Sequence, residues 1–142
     1  MGAISSMSDE TFMYVVETSK SFADAVVALR KSAESAKWGI LGDYNFSEIL
    51  NSKGFPQSEE IKGIDICAPS HANTMMGIDK LTSLCMPCNV VVYRDGDVTK
   101  IAAMKPGAIL PQLFPERARQ FEESGKQVDQ EIKAILDNAV SS

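Results

Sequence analysis

Basic residues are in the minority in this chain: Lys and Arg total 14 against 19 Asp and Glu, a formal net charge of −5. A nucleic-acid groove needs clustered Lys and Arg to displace the counterions of the phosphates, so DNA and RNA are poor partners. Long apolar runs are missing as well. The strongest, Val90 to Tyr93, is strand-sized and far short of the roughly 20 residues that cross a bilayer, which argues against a membrane partner. The first ten residues carry no Lys or Arg and lack the charged start and long apolar middle of a secretory signal, so a cytoplasmic location is expected. Gly39-x2-Gly42 has neither the spacing nor the Lys of a phosphate-binding loop. Asp43, Asp65 and Asp79 are scattered and form no acid/base pair. Cysteine is sparse at three residues, an odd count that does not suit a disulfide scaffold and points to reduced thiols.

What is present suits one compact domain. With 142 residues, 44% hydrophobic and 23% charged, the chain buries a core without staples. Residues 1–10 read as a flexible N-terminal tail and 11–142 as the domain. Thr11 to Thr18 is β-branched and aromatic, as a pleated strand requires. From Phe22 to Lys37, apolar side chains recur at Phe22, Ala25, Val26, Leu29, Ala33 and Ala36, a helical stripe capped by Ser19 or Ser21. Trp38 to Asn45 reads as a strand, and Phe46 to Lys53 as a short helix closed by Gly54 and Pro56. Ile61 to Cys67 alternates as a half-buried strand, with Cys67 on the side opposite Ile64 and Ile66. Pro69 opens a helix that runs to about Ser83. Cys88 to Tyr93, Asp95-Gly96 and Val98 to Met104 form a hairpin, and Lys105 to Pro111 reads as a loop. Pro115 to Val140 carries a last helical stripe that Gly125 interrupts. The order β-α-β-α-β-α-β-β-α predicts an α+β fold.

The chemistry-bearing residues gather around one predicted helix: Cys67-x3-His71 before and at its start, Cys85-x2-Cys88 after its end. Three thiolates and an imidazole suit a soft-ligand metal, whether zinc, iron or copper. This makes a metal-binding module through Cys67, His71, Cys85 and Cys88 the leading expectation. Cys67 also precedes a helix start, where free N–H groups stabilise a thiolate and His71 lies one turn away. A catalytic Cys67 that carries sulfur, resolved by Cys85 or Cys88, is the alternative. A thioredoxin-type dithiol is disfavoured, because Cys85 ends a helix and Cys88 begins a strand, the reverse of the order that lowers a thiol pKa. The plainest alternative is packing, since Cys88 shares a predicted face with Val90 and Val92. Met75, Met76, Met86 and Met104 are thioethers suited to Cu(I), and equally to filling a core.

Ile66-Cys67-Ala68-Pro69, the following helix, and Pro87-Cys88-Asn89-Val90-Val91-Val92-Tyr93 with Asp95-Gly96 resemble the domain of unknown function 302 family. That family shows a Cys-Asn-Pro step before its helix and a Leu-Pro-Cys-Asn-Val step opening its hairpin. The resemblance runs from Tyr14 to Met104-Lys105-Pro106. It implies helices on one side of an antiparallel-rich sheet, similar to the TATA-box-binding-protein architecture, and a homodimer. It brings no established activity, and it marks Cys67 and Cys88 as family-typical positions. Ala68 replaces the usual Asn and Cys85 replaces an apolar residue, so this chain has one thiol beyond the pattern.

Overall fold

The computed structural model describes residues 7–141, and the side chains of residues 10–141. Six strands form one antiparallel sheet in the order β1-β2-β6-β5-β4-β3, with β1 Met7–Asp9, β2 Met13–Thr18, β3 Gly39–Asn45, β4 Ile61–Cys67, β5 Cys88–Asp95 and β6 Val98–Met104. Helices α1 Phe22–Ser35, α2 Phe46–Ser52, α3 Pro69–Ile78, α4 Pro106–Leu113 and α5 Ala118–Ser141 complete the α+β fold.

Cross-strand partners set the buried face. Tyr14 pairs with Ala103, Ala103 with Val90 and Val90 with Ile64, and all four are buried. Helices α1 and α5 pack on this face. The apolar stripe of α1 is buried at Phe22, Ala25, Val26, Leu29 and Ala33, and that of α5 at Phe121, Val128, Ile132, Ile135, Leu136 and Ala139. The two helices are also joined by the Ser32 hydroxyl, which donates to the Ile135 carbonyl at 2.6 Å. Short α2 lies toward the other face, where the Phe46 ring abuts Gly63 of β4; a Cβ there would stand 2.8 Å from the ring.

Four features differ from the sequence expectation. Met7–Asp9, placed in the loose tail, pairs with β2 as an edge strand. Residues 1–6 of that tail lie outside the described residues. The helix after Pro69 ends at Ile78, and Lys80–Cys85 winds as a 3-10 segment capped by the Asp79 carboxylate, which accepts from the Leu81 N–H at 2.9 Å. Lys105 to Pro111 is not a loop but the start of α4. Gly125 does not break α5; it is buried where α4 crosses.

Candidate functional site

β4 runs directly into α3, and the 3-10 segment runs through Met86-Pro87 directly into β5. Because β4 and β5 are paired with Ile66 opposite Cys88, both junctions fall at the same end of the sheet. Connectivity and register therefore bring Cys67, at the end of β4, and Cys88, at the start of β5, to one corner. Cys85 closes the 3-10 segment and His71 lies in the first turn of α3.

The four side chains line one cavity of about 40 Å³, walled also by Met75, Met86, Trp38 and apolar residues of α4 and α5. That space holds about one or two water-sized groups. No Asp, Glu, Lys or Arg lines it. All three cysteines are free and half-buried. The four side chains share a wall but are not gathered into a coordination sphere: among the described residues, no three of His, Cys, Asp and Glu stand together as a metal set.

Electrostatics follow from burial. Desolvation pushes the thiols of Cys67 and Cys85 up, opposite to the stabilisation expected of Cys67 at a helix start. Ala68 offers no side-chain cap there, and Pro69 has no N–H to give. The Cys88 thiol is pushed up to about 12, chiefly by burial, then by the neighbouring Cys67, Asp129, Cys85 and Asp65. The thiols are therefore neutral near pH 7.

His71 is held by a residue the sequence reading missed. Its Nε2 lies 2.8 Å from Oε2 of Glu131 on α5, and the Trp38 indole N–H donates to the other oxygen, Oε1, at 3.0 Å. The Trp38 and His71 ring centroids are 5.9 Å apart. Burial raises the Glu131 pKa, but the hydrogen bonds from Trp38 and His71 and the His71 charge outweigh it, and the carboxyl ends below its usual value. A signal for Glu131 exists in the sequence: with Val128 and Ile135 it falls at three-and-four spacing, a carboxylate on the inward stripe of α5.

Pro87, Cys85 and Cys88 also border a second space, an apolar groove of about 510 Å³ along Met13, Val91, Ala102, Met104 and Leu113. The Cys85-Met86-Pro87-Cys88 step thus separates the inner cavity from an open groove, and its Met86-Pro87 peptide is cis.

The family profile described as Domain of unknown function DUF302 matches residues 14–139. The chain belongs to the DUF302 family. Among solved structures, this DUF302 chain is similar to the crystal structure of an uncharacterized conserved protein DUF302 from Bacillus stearothermophilus, at 25% identity and a TM-score of 0.83. The match covers 92% of this chain and 99% of that one. No curated protein matches it. Cys67 and Cys88 lie at the adjoining ends of β4 and β5, where Ile66 pairs with Cys88. No helix among the described residues is long and apolar enough to cross a membrane.

Proposed function

We propose that this DUF302 chain is a small thiol-rich module that binds a soft metal or metal cofactor through Cys67, Cys85 and Cys88, with His71 beside them. The observation that carries the reading is the shared lining: three sulfurs and an imidazole on one cavity that no charged side chain enters. A soft cation replaces thiol protons and cancels the repulsion between neighbouring thiolates, which adds to the burial that chiefly raises Cys88. The His71–Glu131 contact supports it further. Imidazoles that ligate metals commonly give their other nitrogen to a carboxylate, which leaves Nδ1 of His71 as the free nitrogen. Free cysteines in odd number suit a reducing compartment such as the cytosol.

The test is elemental analysis of protein purified without chelator, under reducing and anaerobic conditions, with a thiol count on the same sample. Near-stoichiometric zinc, iron or copper with protected thiols is the expected result. No metal and three freely titrating thiols would sink the proposal. The second reading, a sulfur carrier built on Cys67, is favoured by that residue's place at the mouth of α3 and opposed by the burial that keeps its thiol protonated. Persulfide loading that vanishes in Cys67→Ser while metal content stays unchanged favours the carrier.

A further inference from the structure

The donor atoms of the cavity are unusually soft for a protein site. Besides the three cysteines, the thioethers of Met75 and Met86 face the same space, so sulfur outnumbers the single imidazole five to one. Met75 is 2% exposed and belongs to the core from which the cavity is cut. Thiolate and thioether ligands select copper(I), whereas carboxylate and water suit the harder divalent ions. Size agrees as well: about 40 Å³ admits a bare ion but not one with a hydration shell.

Coordination number completes the argument. A structural zinc gathers four donors into a tetrahedron. Two thiolates are enough for a low-coordinate soft ion, and the arrangement offers a pair. Cys67 and Cys88 lie at the adjoining ends of β4 and β5, and both line the cavity. Cys85 and Cys88 both border the cavity and the open groove, and Cys85, the less deeply buried of the two, is placed to meet an incoming ion first.

Resting on the soft-metal reading above, we propose that the ion is Cu(I), held between the Cys67 and Cys88 sulfurs beneath the Met75 thioether and reached from the groove by way of Cys85. Binding releases the two thiol protons to water, and copper stays Cu(I) throughout.

Trp38 is the only tryptophan and lines the cavity, so its fluorescence reports occupancy. The experiment titrates the reduced full chain anaerobically with Cu(I) against bicinchoninate, and in parallel with Zn(II) against a chromophoric zinc chelator, counting free thiols in each. One Cu(I) per chain, quenching Trp38, is expected, with Zn(II) leaving the thiols titratable. Cys67→Ser and Cys88→Ser each weaken Cu(I) binding at least roughly tenfold, and Met75→Leu, nearly isosteric, weakens it less. Should a cysteine variant not fold, X-ray absorption on the copper-loaded wild type decides: two short Cu–S distances support the pair, and a nitrogen- or oxygen-dominated shell overturns it. If Zn(II) protects all three thiols stoichiometrically, the copper assignment falls and the soft-metal reading stands. If neither ion protects them, both fall. Equal Cu(I) affinity in the double variant lacking Cys67 and Cys88 overturns the site.

Discussion

Glu131 gathers the Trp38 indole and the His71 imidazole onto one carboxylate, and its lowered pKa is a statement about stability. A folded-state pKa below the unfolded value means that the stabilisation is fully present above the unfolded carboxylate pKa, about 4.3, and is lost as pH falls through the lower folded value. Glu131→Gln removes that dependence. Urea midpoints measured from pH 7 down to pH 3 should fall less steeply for the variant than for wild type, and parallel curves would show that Glu131 is not the group responsible. The thiols make a second residue-scale expectation. With Cys88 pushed up to about 12 and Cys67 and Cys85 raised less far, alkylation by iodoacetamide at neutral pH should label Cys88 last, as read by peptide mass spectrometry. Cys88 labelled first would mean that its environment is more polar than the cavity described.

The elements whose periodicity is strong were legible in the sequence, and those shaped by a single close contact were not. Helices α1 and α5 and the hairpin β5–β6 announce themselves by apolar stripes and by Asp95-Gly96, where Gly96 takes φ +64°. Helix α4 did not, because Pro106, Gly107 and Pro111 carry the chemistry of a loop. Each has a packing role instead. Pro106 takes the first helical turn, where its missing N–H is harmless, and Gly107 faces Gly125 of α5 at a distance that leaves no room for a side chain. The Asp129 carboxylate of α5 caps α4 from outside, accepting from the Gly107 N–H at 2.8 Å. A Cβ on Gly107 would fall 2.4 Å from the Gly125 carbonyl oxygen, and one on Gly125 would fall 2.7 Å from the Gly107 Cα. Both obstacles are backbone. Gly107→Ala and Gly125→Ala should each cost about 1–3 kcal/mol in urea unfolding, more than propensity alone gives to an alanine in a helix. A neutral or stabilising result would mean that α4 shifts freely away from α5. The same logic runs in reverse at Lys37, whose φ of 68° closes α1 in a left-handed conformation while the Trp38 N–H reaches back to the Ala33 carbonyl at 2.9 Å. Lys37→Gly should stabilise by up to about 1 kcal/mol, the relief of left-handed strain exceeding the entropy that glycine adds to the unfolded chain.

At the scale of the molecule, the four candidate ligands were nameable from spacing, and their common wall follows from one fact that spacing does not contain: the pairing of Ile66 with Cys88. Glu131 stayed hidden because it arrives from a helix more than forty positions further along the chain than any of them. The same register that buries Tyr14, Ala103, Val90 and Ile64 beneath α1 and α5 turns Met13, Val91, Ala102 and Met104 to the opposite face. There Met104 is 58% exposed, and Leu84, which also lines the groove, is 81% exposed. These side chains line the apolar groove of about 510 Å³ that runs past Cys85. The homodimer that the family resemblance implies can be tested at this face. Sedimentation equilibrium of the reduced protein should then report twice its 15.4 kDa, and Met104→Lys together with Met13→Lys should return the single-chain mass without changing the far-UV spectrum. A chain that sediments at 15.4 kDa over the whole micromolar range is a monomer, leaving the groove beside Cys85 open to solvent. A dimer whose mass survives both charges pairs through another surface. In either of those cases copper would reach the cavity by a groove that no second copy covers, and metal uptake should not depend on protein concentration; a dimer sealed across this face would instead slow uptake as concentration rises.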